Sequence, residues 1–172
     1  LHLRKRTPIY HVQYRMRHRR GHWIWVEDNG RVVAWNEDGR GIRMIGTRRD
    51  ITKERELEQR LRLSASVFQH AAEAIFILDR DLRFVSVNPG FTQITGYTEA
   101  ETVGTRITDS RGSNELHAQH LAIARHMQAH DEWQGEFNDY RKNGEAYPQW
   151  LHLTAVRDES GEVTHYIGLF ND

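Results

Sequence analysis

Apolar and polar residues alternate with period two near the start of the chain. Tyr10, Val12, Tyr14 and Met16 are interleaved with His11, Gln13, Arg15 and Arg17, the pattern of a half-buried strand. Residues 22–26 and 31–35 continue it as a second strand, with a bulge predicted at Asn29-Gly30, and residues 42–49 form a third. Similar runs recur near 132–141, 146–157 and 163–171, separated by turns at Asn143-Gly144 and at Asp158–Gly161.

The recurrence is an internal repeat. Residues 37–50 (EDGRGIRMIGTRRD) and 159–172 (ESGEVTHYIGLFND) set Gly39 against Gly161, Ile45 against Ile167, Gly46 against Gly168 and Asp50 against Asp172. Upstream, RRGHWIW (19–25) resembles KNGEAYPQW (142–150). Each copy reads as a three-strand antiparallel meander.

Only the second copy has a front half. Ala74–Leu78 is a short apolar strand, Asp79–Asp81 a turn, and Arg83–Val87 another strand. Asn88 then caps a helix with Pro89 in its first position, and Gly96 closes it. Thr98 and Glu101 fit a capping box, and Ser113 is a candidate cap for a helix reaching about Ala129. Between the copies, residues 52–71 are charged and lack Gly and Pro. Leu57, Leu61, Ser64, Phe68 and Ala71 follow a four-three spacing there, a short candidate coiled-coil seam.

Composition narrows the function. Lys+Arg and Asp+Glu are each 24, so net charge gives no push toward nucleic acid or anionic lipid. Residues 4–20 hold seven basic side chains, which read as the solvated face of a strand, so neither a nucleic acid nor a membrane is expected as partner. The absence of Cys removes thiolate metal sites, disulfides and cysteine nucleophiles. No apolar run approaches the roughly 20 residues that span a bilayer, and no signal peptide is visible. The chain starts at Leu1 rather than Met, which suggests a piece of something longer. No metal-ligand spacing, nucleophile elbow or acid/base constellation can be assembled, so no catalysis is expected of this chain.

The stretches AEAIFILDRDLRFVSVNPGFTQITGY (72–97), WQGEF (133–137), RKNGEAYPQW (141–150) and AVRDESGEVTHYIGLFND (155–172) together resemble the PAS family of sensory domains. The resemblance covers nearly everything from Ser66 to Asp172. Residues 1–52 resemble only the C-terminal half of such a domain, ending in GTRRDIT (46–52). It implies an α+β fold: a five-stranded antiparallel sheet with helices on one face, at 66–172. A linker helix at 53–68 and a partial meander at 1–52 would precede it. It further implies a cytoplasmic bacterial signalling protein and a homodimer joined through Leu57, Leu61, Ser64 and Phe68. The output domain would lie outside this chain: a diguanylate cyclase, a cyclic-di-GMP phosphodiesterase or a two-component histidine kinase. A ligand-free dimerisation scaffold is the rival.

The pocket that the resemblance implies would be lined by Phe76, Phe84, Asn88, Phe91, Ile94, Ile107, Leu121, Trp133, Phe137 and Trp150, unless these simply fill a core. Asn88 reads better as a helix cap than as a ligand contact. Two cofactors are open. Haem would take an axial ligand from His117 or His120. A flavin such as FAD would be met by Asp139, where an amide donor is wanted, and the light-sensing branch needs a Cys that is absent. Asp50 and Thr52 are the candidate signal-transfer hinge, with a plain helix cap as the competing role for Asp50.

Overall fold

A computed structural model of the chain describes residues 9–109 and 114–172. The chain divides into two compact units, residues 1–64 and 65–172.

In the first unit, β1 (Tyr10–Arg17), β2 (Trp23–Trp35) and β3 (Gly41–Asp50) form an antiparallel sheet in the order β1-β2-β3. The expected bulge at Asn29-Gly30 is corrected. β2 runs through both residues, and its register slips later, between Val32 and Trp35. Gly30 instead pairs with Gly46. A Cβ at Gly46 would collide with the Asn29 carbonyl and crowd the Gly30 Cα, so the two glycines serve close strand approach rather than a bend. Helix α1 (Thr52–His70) follows, with no buried residue along its length.

In the second unit, β4 (Ala74–Asp79), β5 (Phe84–Val87), β6 (Glu132–Tyr140), β7 (Ala146–Arg157) and β8 (Val163–Asn171) form one antiparallel sheet, ordered β5-β4-β8-β7-β6. Asp79 Oδ1 accepts the Asp81 and Arg83 amides and so tightens the β4–β5 turn. Helix α2 (Pro89–Thr95) starts at Asn88 and ends at Gly96, whose φ of 79° is left-handed. Helix α3 (Glu99–Thr102) has the Thr98/Glu101 capping box. A 3-10 turn (Ile107–Asp109) and helix α4 (Asn114–Ala129) follow over the same face. Ser113, the expected cap of α4, lies outside the described residues.

Strand pairing fixes how the two meanders correspond. Gly46 pairs with Gly30, and its repeat counterpart Gly168 pairs with Leu153. Stepping along the strands makes Val26 equivalent to Gln149, Asp28 to Leu151, Arg48 to Phe170, Tyr14 to Phe137 and Met16 to Asp139. The inner faces differ in chemistry. In the first unit Arg48 clasps Asp28 through two hydrogen bonds of 2.7 and 2.6 Å, and Tyr14 donates to the same carboxylate. That guanidinium holds Asp28 below the ordinary carboxylate range. The second unit has Leu151, Phe170 and Phe137 in those places, all buried.

Candidate functional site

Period-two alternation along β7 and β8 turns Tyr147, Gln149, Leu151 and Leu153, with Tyr166, Gly168 and Phe170, toward the helices. Asn88 holds α2 in place over them. Its Oδ1 accepts the Ile75 and Phe91 amides at 2.8 and 2.9 Å, and its Nδ2 donates to the Glu73 carbonyl at 2.9 Å. Phe76, Phe84, Phe91 and Phe170 then meet edge-on or tilted, with centroids 5.5–6.2 Å apart. Beside this aromatic floor lies a cavity of about 580 Å3, within the range of roughly 300–1,000 Å3 usual for small-molecule sites.

The cavity wall is not purely apolar. Gln149 is only 5% exposed; its Oε1 accepts the Tyr147 hydroxyl at 3.1 Å. His120 lines the cavity from α4 with its ring 4.8 Å from that of Phe137. Burial, and secondarily the charge of His117, lowers its pKa to about 4, so the imidazole is neutral at physiological pH. Asp139 lines the end of β6, and loss of solvent raises its carboxyl pKa. Glu101 and Arg106 also line the cavity, and Lys142, from outside the lining, bonds to Glu101 and lowers that carboxyl to about 2.

Of the ten residues named for the pocket, the structure places Phe76, Phe84, Phe91 and Ile107 in the cavity lining. It places the other six expected residues elsewhere. Asn88 is committed to backbone. Ile94 and Trp133 are half-buried against the core, and Phe137 is buried behind His120. Trp150 is 51% exposed because the inner parity of β7 belongs to Gln149 and Leu151. Leu121 is 36% exposed because α4 buries the stripe Leu116, His120, Ile123 and Met127. The expectation missed Gln149, Leu151 and Phe170. Strand parity would have found them, since choosing Trp150 for its size excludes both of its neighbours.

For haem, His120 suits the donor chemistry as a buried neutral imidazole on the cavity wall. His117 does not, being exposed with Nδ1 2.7 Å from the Thr108 carbonyl. For a flavin the fit is poor. Asp139 presents a carboxylate where an amide donor is needed, the neighbouring Asn138 is exposed on the opposite parity, and the chain has no Cys.

A second group of residues joins the first sheet to α1. The Thr52 amide donates to Asp50 Oδ1 at 2.9 Å, and the Trp25 amide donates to Thr52 Oγ1 at 2.9 Å. The Ile51 amide donates to the Trp25 carbonyl, and the Arg55 guanidinium lies 5.0 Å over the Trp25 ring. Asp50 thus caps the helix and also fixes its root. Further along α1, Leu57, Leu61 and Ser64 are exposed and Phe68 is half-buried. Among the described residues, no helix is long and apolar enough to cross a membrane.

An antiparallel five-strand sheet with short helices over one face and a cavity between them defines a sensory domain of the PAS type. The comparisons agree. The PAS domain model matches residues 72–172 and a PAS fold model matches residues 1–48, and the chain belongs to the PAS domain family. The cAMP-specific cyclic phosphodiesterase 8A of Mus musculus is 30% identical over 120 residues, 66% of this chain and 14% of the relative. The blue-light-activated histidine kinase of Brucella ovis is 29% identical over 89 residues, 51% of this chain and 18% of the relative. The chain therefore spans less than a fifth of the length of the curated relatives it matches. The crystal structure of a PAS domain from Colwellia psychrerythraea superimposes with a TM-score of 0.58 at 18% identity, covering 65% of this chain and 95% of that one.

Proposed function

We propose that this chain is the sensory segment of a cytoplasmic bacterial signalling protein. On this reading residues 66–172 bind a small molecule, and the first meander with α1 relays the change to an output domain. The observation that carries it is the 580 Å3 cavity with buried Gln149 and His120 in its wall. Apolar packing alone gives no reason to bury two polar side chains beside empty volume. The output domain is a histidine kinase or an enzyme of cyclic-di-GMP turnover, and similarity to blue-light-activated histidine kinases supports the first.

The relay runs through Asp50 and Thr52. A shift of β2 relative to β3 changes the Trp25–Thr52 hydrogen bond, and with it the direction in which α1 leaves the sheet. Two copies join through Leu57, Leu61, Ser64 and Phe68, so a change in helix direction becomes a change in the dimer. The haem reading is kept alongside because His120 offers a neutral imidazole to the cavity.

The test is the absorption spectrum of the purified chain, followed by thermal melts against a small-molecule library. A Soret band that vanishes in His120→Ala establishes haem. A saturable rise in melting temperature with a colourless compound establishes a ligand sensor. A transparent protein whose melting point no compound moves favours the dimerisation scaffold.

A further inference from the structure

The repeat inside the chain shows which polar groups the fold does not require. Asp139 and Gln149 occupy the positions that Met16 and Val26 hold in the first meander. The same three-strand geometry is therefore built with apolar residues in both places, and the polar pair of the second unit needs another explanation.

Neither residue is fully used by the protein. The Asp139 carboxylate accepts the Tyr140 amide through Oδ1 at 2.7 Å, and among the described residues no cation pairs with it. The nearby cations are engaged elsewhere. Arg141 is paired with Asp172 and Glu145 and lies 4.3 Å over the Tyr147 ring. Lys142 is paired with Glu101. Gln149 has its carbonyl held by Tyr147, and no described residue accepts from its amide. Both side chains line the cavity next to the aromatic floor. With Glu101 neutralised by Lys142, the charged groups left among the described lining residues are Asp109 and Asp139 against Arg106, an excess of one negative charge among them.

We infer that the cavity selects an aromatic amine: a ring seated against Phe76, Phe91 and Phe170, an ammonium on Asp139, and an acceptor beside it on the Gln149 amide. The Asp139 carboxylate has lost solvent on the cavity wall, and a cationic partner restores the compensation that water would have given. A neutral ring loses the charge-assisted bond, and an anion meets Asp139 and Asp109 with like charge.

This inference rests on the cavity being a ligand site, and the experiment separates the two. The whole chain is titrated at neutral pH with phenethylamine, phenethyl alcohol and hydrocinnamate. Calorimetry ranks the affinities, and amide chemical shifts locate the site. Phenethylamine is expected to bind about tenfold or more tighter than the other two, the size of one charge-assisted hydrogen bond. Shifts should cluster at Thr95, Asp139 and Gln149. Asp139→Asn, close in shape and uncharged, should erase the preference while circular dichroism stays native. Equal binding of all three probes with shifts at the cavity overturns the inference and leaves the sensory reading standing. A preference for hydrocinnamate, with Arg106 as its partner, overturns it too. No cavity shift with any probe at millimolar concentration overturns the inference as well, and only the spectrum and the library melts overturn the sensory reading.

Discussion

Phe76 places the edge of its ring over Gly168, its antiparallel partner on β8, at the spot where a Cβ would otherwise stand. The ring can reach the cavity floor only because residue 168 has no side chain. Gly168→Ala should therefore destabilise the second unit through overpacking, by about 1–3 kcal/mol. For a unit of this size each kcal/mol is worth about 4–8 °C in melting temperature. Phe76→Leu opens the space, so the alanine should cost at least 0.5 kcal/mol less in that background, a coupling typical of residues in contact. Additive effects in the double-mutant cycle would show that the two positions do not share the space.

Asn88 makes hydrogen bonds of 2.8–2.9 Å to three backbone groups with one carboxamide, on β4, on α2 and before β4. Alanine removes a helix cap worth about 1 kcal/mol. It also strips the half-buried Ile75 amide and the carbonyl of exposed Glu73 of their partner, at the low end of roughly 1–3 kcal/mol each. Asn88→Ala should lower stability by about 3 kcal/mol or more in urea titration, with the slope unchanged. Asn88→Asp keeps both accepted bonds and loses the donated one, so it should fall between wild type and alanine. An aspartate variant as unstable as alanine would assign the main role to the Glu73 contact.

Much of the fold was legible because turns and caps are local. Asn88-Pro89, Gly96 and the Thr98/Glu101 box each act within a few residues, and the strands of the second meander lie within a residue or so of their expected ends. The Gly46/Gly168 repeat also carried the strand register. The cavity was less legible because it depends on which face of each strand is covered. Trp150 and Leu121 were chosen for apolar bulk, yet the neighbouring positions turn inward. Asn29-Gly30 misled for a related reason. A glycine needed for approach between strands looks, in one sequence, like a glycine needed for a bend. The Asp28–Arg48 pair was invisible for want of long-range register, since 20 residues separate its members.

His120 should make stability depend on pH. Its pKa is lowered from 6.5 to about 4 by burial, with the charge of His117 as the lesser cause. Below 6.5 the unfolded chain binds a proton that the folded chain refuses, so stability is retained above that value and lost as pH falls toward 4. The full effect is about 3 kcal/mol, from roughly 1.4 kcal/mol per pKa unit. His120→Phe keeps an aromatic ring against Phe137 and does not titrate. Urea midpoints between pH 7 and pH 4 should therefore fall more steeply for wild type than for this variant. Parallel curves would mean that the folded protein admits the proton on His120.

Helix α1 leaves Leu57 and Leu61 at 59% and 64% exposed on the stripe that continues through Ser64 and Phe68. On a period of 3.6 these four residues share one face, whereas Leu63 and Val67, also exposed, fall on a different flank. A parallel pairing of two copies along the first stripe would bury four leucine side chains. Each would contribute roughly 1.5–3 kcal/mol relative to exposure, against several kcal/mol of lost translational and rotational freedom, so the helix alone would hold a weak dimer. Glutamates facing each other across a two-fold axis reverse that balance. Leu57→Glu/Leu61→Glu should sediment as a monomer with native circular dichroism, because both positions lie outside the folded cores. Leu63→Glu should stay dimeric, since its flank is not at the seam. If Leu63→Glu dissociates the protein and the double variant does not, the seam is rotated by about a third of a turn, and the relay from Asp50 would have to turn the helix the opposite way.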